Sequence, residues 1–204
     1  EGVLTAAVGT SQGRAMRRPA GMVDGRIEIV DDRVVQHQLA DFNGSALGPR
    51  EIALSFDDGP AAAGSCGTSA SALLDMLATH HVSAGFFVNY WQQLEHDKNR
   101  DMLRRMVADG HIVGSHADAH TTMAGNLTNM LWRTERVFWE ELSEPPVLFR
   151  APYARCTPRA KTFLHQRQYL VAGWNLDTWD WKDGSAAGVF RRVNATLHRV
   201  MHAP

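Results

Sequence analysis

The chain has 204 residues, 44% of them hydrophobic and 21% charged, with 21 basic side chains against 22 acidic ones and a formal charge of −1. That balance excludes a broad nucleic-acid-binding face, which needs excess basic charge, and no apolar run approaches the roughly 20 residues that cross a bilayer. The size suits one domain with at most a small appendage, and two cysteines, Cys66 and Cys156, exclude a four-thiolate zinc site and a disulfide scaffold. Ten histidines are many for this length and point to metal or acid–base chemistry.

Residues 1–25 are rich in Gly, Ala and Arg without periodicity. Arg26–Val30 and Arg33–Val35 flank Asp31-Asp32 and predict a β-hairpin. Residues 1–50 are therefore expected to form an N-terminal extension, and 51–204 the domain proper. Glu51–Phe56 predicts a strand, and Ser69–His80 a helix with Leu73, Leu74 and Leu77 at helical spacing. Ala84–Asn89 predicts a strand, and Lys98–Ala108 an amphipathic helix ended by Asp109-Gly110. His111–Ser115 predicts a strand and Met123–Leu142 a long helix stopped by Pro145-Pro146. Val147–Arg150 predicts a strand, Pro158–Gln168 a helix, Tyr169–Leu176 a strand and Ala186–His202 a last helix. Strands alternating with helices mean βα units and a mostly parallel sheet or barrel.

In such folds the residues just past the C-terminal ends of the strands share one rim, where sites are built. Here those positions hold Asp57 and Asp58, then His116 and His120, then Arg150, then Asp177 and Asp180. The exception is the Ala84–Asn89 strand, which is followed by Tyr90-Trp91.

Ser55-Phe-Asp-Asp-Gly-Pro60 sets adjacent carboxylates on a turn, so one can bind a metal while the other faces a substrate; a plain polar turn is the simpler reading. His116-Ala-Asp-Ala-His120 places two imidazoles on one side of a helical turn, and two His with one Asp make a facial triad suited to Zn²⁺. Arg150-Ala-Pro-Tyr153 offers an arginine that can hold a carboxylate ionised, or a structural ion pair. Trp174–Trp181 packs three indoles and two carboxylates into eight residues, which suits stacking on sugar rings as well as core packing. His116-Ala-Asp118 is also an HxD triplet, which with His165 would suit an iron(II) oxygenase. Those enzymes are antiparallel jelly rolls, whereas this chain alternates strand and helix. Asp118 is expected to be a solvated loop residue, and His37, His80, His81, His96 and His111 surface or packing residues.

SFDDGP, GSHADAH, RAPY and DTWDW, in that order, resemble the successive motifs of polysaccharide deacetylases, the NodB-homology group or carbohydrate esterase family four. The resemblance runs from about Glu51 to the end, roughly three quarters of the chain. It implies a distorted, incomplete (β/α) barrel. The implied activity is metal-dependent removal of N-acetyl groups from an N-acetylglucosamine-containing polysaccharide, chitin or chito-oligosaccharide first, peptidoglycan or acetylated xylan next. By the same resemblance Asp57 is the general base, and Asp58, His116 and His120 hold Zn²⁺, or Co²⁺ or another divalent ion. Arg150 orients the base, Asp180 tunes the acid histidine, and Trp181 walls the acetyl pocket. The backbone N–H of Tyr153 faces the oxyanion, and Trp91 and Trp179 join Trp181 as sugar-facing aromatics. A monomer, secreted or at the cell surface, is expected. The family's fifth motif, a last strand ending in leucine and histidine, supplies its general acid. That strand is expected beyond Pro204, with His202 as the substitute within the chain. A domain lacking the acid would instead bind sugar polymers without cutting them. A Cys66–Cys156 disulfide stays open, since both loops lie on one rim.

Overall fold

Short apolar runs separated by amphipathic ones produce alternating strands and helices in the computed structural model, which describes residues 4–6, 39–44, 47, 51–60, 69–90, 94, 97–182 and 184–201. The strands are β1 (Leu4–Ala6), β2 (Leu54–Gly59), β3 (Ala84–Val88), β4 (Ile112–Ser115), β5 (Leu148–Phe149) and β6 (Leu170–Val171). The helices are α1 (Ala70–Thr79), α2 (Asp97–Ala108), α3 (Trp132–Leu142), α4 (Pro158–Gln166) and α5 (Ala186–Met201). The strands lie side by side in chain order. β2 to β6 pair in parallel, and β1 runs antiparallel to β2. The result is the α/β architecture expected from the alternation, an open sheet that does not close into a barrel. The hairpin expected over residues 26–35 lies outside the described residues.

Local chemistry sets the helix starts. Ser69 caps α1 by accepting from the Ala72 N–H, and Thr157 caps α4 by accepting from Ala160, with Pro158 in the first turn. One core cluster joins Leu74, Leu77, Phe86, Val88, Leu103, Met106 and Val137; the other joins Ala117, Leu131, Phe149, Leu164, Tyr169 and Val171. No helix among the described residues is long and apolar enough to cross a membrane.

Two expected elements are shorter than their patterns. The helix expected over Met123–Leu142 begins only at Trp132, after a 3₁₀ turn at Thr128–Met130. Gly125 sits at φ +88°, outside helical space, and the Asp118 carboxylate accepts from the N–H groups of Arg133 and Thr134, ending the helix there. The strand expected over Tyr169–Leu176 is ordered as strand only at Leu170–Val171. Beyond it Phe42 bridges Ala172, and Gly173 donates to the Phe42 carbonyl at 2.6 Å. A Cβ on Gly173 would lie 2.8 Å from that of Ala40, so this close approach needs glycine. Asp41 anchors the same segment, accepting from Val171 N at 2.7 Å and pairing with Lys161 and His165 at 2.8 Å each. His165 Nε2 is thereby part of the Asp41 anchor, and the group of described residues that could hold a metal joins His116 to Asp58 and His120, without His165.

His111 is a packing residue. It is buried, its Nδ1 accepts from Ala84 N at 3.2 Å, and its ring meets Phe86 edge-on at 5.2 Å. Burial pushes its pKa below the ordinary 6.5, with Arg105 adding and Asp109 opposing. The folded state therefore favours neutral His111, and stability is lost as pH falls from about 6.5 toward the lowered folded value. Thermal melts between pH 7 and 5 should show the wild type losing Tm more steeply than His111→Gln. Parallel curves would refute this.

Candidate active site

Ser55 and Asp57 both lie buried along β2, as the two-residue period of a strand requires. A regular strand would send Asp58 to the opposite face. Instead the pairing with β3 slips between Asp57 and Gly59, a bulge, and Asp58 takes a left-handed φ of 61°. The bulge turns Asp58 toward the loop after β4. There its Oδ1 lies 3.7 Å from His116 Nε2 and its Oδ2 3.8 Å from His120 Nε2.

His116 is presented by two backbone contacts. Its N–H donates to Val88 at 2.7 Å, and its Nδ1 donates to the Arg150 carbonyl at 2.8 Å. A proton on Nδ1 leaves the Nε2 lone pair free to face Asp58. The His116–His120 segment is a loop rather than the expected helical turn. Ala117 is left-handed at φ 67°, and Asp118 N donates to Met130 rather than to a helical carbonyl. The two rings still converge, with centroids 5.3 Å apart. Asn89, at the end of β3, donates to Asp58 Oδ1 at 2.7 Å. Burial raises the Asp58 pKa, the Asp57 charge adds to the rise, and His116 and Asn89 oppose it. One ligand atom from each of Asp58, His116 and His120 can be chosen so that all lie within 4.8 Å of one another. A first-row cation bonds N and O at about 2.0–2.2 Å, so ligand atoms must come within about twice that distance. The 3.7 and 3.8 Å separations satisfy the limit. One carboxylate with two imidazoles is a donor set that suits such an ion.

Asp57 is engaged differently. Arg150 is 2% exposed, and its Nη1 donates to Asp57 Oδ1 at 2.7 Å and to Ser55 Oγ at 2.9 Å, while Nη2 donates to the Gly173 carbonyl at 3.2 Å. The guanidinium lies over the Phe87 ring at 3.9 Å and the Trp174 ring at 5.3 Å. Arg150 thus touches both groups of residues, Asp57 through its side chain and His116 through its backbone.

Beside this centre the Tyr153 ring packs tilted against His120, with centroids 4.3 Å apart and 59° between the planes, and its hydroxyl donates to the His120 carbonyl at 3.3 Å. Trp179 and Trp181, each about half exposed, stack at 6.1 Å with 25° between their planes. Asp177 accepts from Trp179 N at 2.8 Å, and Asp180 accepts from the Thr178 hydroxyl at 2.9 Å. Tyr153 and Trp179, like Asp58 and Ala117, carry positive φ, as do Ala154 and, elsewhere in the fold, His81, Ser143 and Gln168. Trp91, His202 and Cys66 lie outside the described residues, and Cys156 carries a free, buried thiol.

Reasoning from sequence passed over Asn89 and Ser55. The strand-end rule pointed at Tyr90-Trp91; applied one residue earlier it would have found Asn89. Asp118, expected to be solvated, is buried with both carboxylate oxygens accepting backbone N–H groups, because it caps α3.

Residues 44–172 match the family described as polysaccharide deacetylase, a span holding Asp57, Asp58, Asn89, His116, His120, Arg150 and Tyr153. The chitin deacetylase of Colletotrichum lindemuthianum is 36% identical over 141 residues, covering 66% of this chain and 54% of that protein. A peptidoglycan-N-acetylglucosamine deacetylase of Bacillus cereus is 28% identical over 147 residues, covering 70% and 50%. The chain spans about half the length of these curated relatives. The solved structure of the Colletotrichum enzyme matches with a TM-score of 0.61 at 31% identity, over 69% of this chain and 62% of that one. The peptidoglycan deacetylase PdaC of Bacillus subtilis matches with a TM-score of 0.60 at 25% identity, over 69% and 66%. With the family's fold and a match over more than half its length, the chain belongs to the polysaccharide deacetylase family.

Proposed function

We propose that the protein is a metal-dependent hydrolase that removes N-acetyl groups from an N-acetylglucosamine-containing polysaccharide, with chitin or its oligomers as the substrate. The observation that carries this reading is the meeting of two buried carboxylates with separate partners: Asp58 beside two imidazoles, and Asp57 beside a guanidinium. Relatives 36% and 34% identical are chitin deacetylases, which favours chitin. Peptidoglycan is the second reading, supported by relatives 28–30% identical. Polymers of this kind lie outside the cell membrane, so the protein acts as a secreted or surface enzyme.

In this reading Asp58, His116 and His120 hold Zn²⁺, with Co²⁺ and other divalent ions as substitutes. Such an ion supplies Lewis acidity toward water and a carbonyl oxygen. Asp57 takes the proton of the attacking water at Oδ2, because Oδ1 is engaged by Arg150. Arg150 fixes the rotamer of that carboxylate. The backbone N–H of Tyr153 donates to the developing oxyanion. Trp179 and Trp181 offer faces to the sugar rings, and Asp180 orients the group that protonates the departing amine.

The test is acetate release from N-acetylglucosamine oligomers, peptidoglycan and acetylated xylan by the 204-residue protein. A chelator should abolish release and zinc restore it, with the oligomers cleaved fastest. Zinc at about 100 times its Kd should also stabilise the fold by about 2.7 kcal/mol. No release from any polymer by folded, zinc-loaded protein, either by these 204 residues or by a chain extended through the expected last strand, would overturn the hydrolase reading in favour of sugar binding without cleavage.

A further inference from the structure

We infer that Asp118 and Thr134 form a latch between the His116–His120 loop and the first turn of α3, and that this latch sets the loop in its metal-binding geometry. The inference rests on the metal reading of Asp58, His116 and His120. The residues of the loop between the two imidazoles have little local reason to hold their shape. Ala117 is left-handed, which a residue with a Cβ avoids, and Asp118 N donates out of the loop to Met130. Its shape is imposed from α3 in both directions. Asp118 Oδ1 accepts from Thr134 N at 2.8 Å and Oδ2 from Arg133 N at 3.0 Å, while the Thr134 hydroxyl returns a bond to the Ala117 carbonyl at 3.1 Å. Both residues are buried, Thr134 completely. Ser115 Oγ accepts from Ala117 N at 3.2 Å, and Asp118 N donates to Met130 O at 2.7 Å, so the strained residue is held on every side.

The carboxylate also sits at the positive end of α3, where a cap stabilises a helix whatever lies nearby. A cap alone and a latch make different predictions. A cap affects folding only. A latch also changes how well the two imidazoles meet a cation, since residues that orient ligands typically carry a 10–100-fold effect on metal affinity. Asp118 and Thr134 are positioning residues in this sense; neither touches the cation.

The decisive measurement is zinc affinity by competition with a chromophoric chelator, on protein shown to be folded by circular dichroism. It is paired with the visible spectrum of the cobalt-substituted protein. Asp118→Ala is expected to weaken zinc about 10–100-fold. Thr134→Val removes only the hydroxyl bond to Ala117 and keeps the N–H that caps through Asp118, so helix α3 stays capped. It is expected to weaken zinc about tenfold and shift the cobalt bands, whereas Thr134→Ser returns both to wild-type values. Folded Asp118→Ala and Thr134→Val with wild-type zinc affinity and cobalt spectrum would overturn the latch. Should Asp118→Ala fail to fold, Thr134→Val decides alone. Wild-type protein that holds no zinc overturns the metal reading, and the latch with it.

Discussion

Asp57→Asn should lower acetate release by about 10²–10⁴-fold while zinc still stabilises the protein, because the substitution removes proton acceptance without touching Asp58, His116 or His120. The amide keeps an oxygen toward Arg150 Nη1, and the guanidinium retains Ser55 Oγ, the Gly173 carbonyl and the faces of Phe87 and Trp174. The variant is therefore expected to fold. Its zinc-dependent shift in Tm separates loss of the base from loss of the ion. A variant with most of its activity would mean that the proton goes elsewhere. One that lost its response to zinc would mean that Asp57, not Asp58 alone, belongs to the ligand set.

The adjacency of Asp57 and Asp58 shows what a sequence conveys and what it does not. That two neighbouring carboxylates have different partners was legible from the turn chemistry of Gly59-Pro60 and from their place at a strand end. How neighbours on a strand both reach one rim was not, because a bulge is decided by pairing with β3, a partner some 30 residues away. Asn89 is hidden for the same reason. Nothing local distinguishes it from any polar residue closing an apolar strand, and only the parallel register of β2 and β3 brings its amide to Asp58.

The alternation of elements was legible because each strand and helix carries its own period. α1 and α4 begin at their Ser and Thr caps, close to where the pattern places them. α3 was over-extended because the stretch before it, Met123–Leu131, has apolar residues at helical spacing. Those residues are buried as a loop instead, with Met123, Leu127 and Leu131 in the same cluster as Phe149 and Leu164. Periodicity reports burial, and a loop laid against a core can mimic a helix. The true helix start is written in Asp118, a residue 14 positions before Trp132, which no local window contains.

Arg150→Met tests the other half of the site. Asp57 and Arg150 are both almost completely buried, with side chains 5% and 3% exposed and 2.7 Å between the bonded atoms. Removing one partner of a buried pair leaves the other charge without compensation and costs about 3–5 kcal/mol, so Tm should fall sharply and activity vanish. The double variant Arg150→Met, Asp57→Asn should recover much of that stability, since no bare charge remains, yet stay inactive. Arg150→Lys should fall between, because one ammonium cannot serve Asp57, Ser55 and Gly173 in the fork geometry that the guanidinium supplies. All three changes keep the Arg150 backbone carbonyl, which accepts from His116 Nδ1. Zinc binding should therefore survive in every variant that folds, and activity should not. Single and double variants of equal stability, or an Arg150→Met protein that still releases acetate, would show that the pair neither holds the fold nor prepares Asp57 for the reaction.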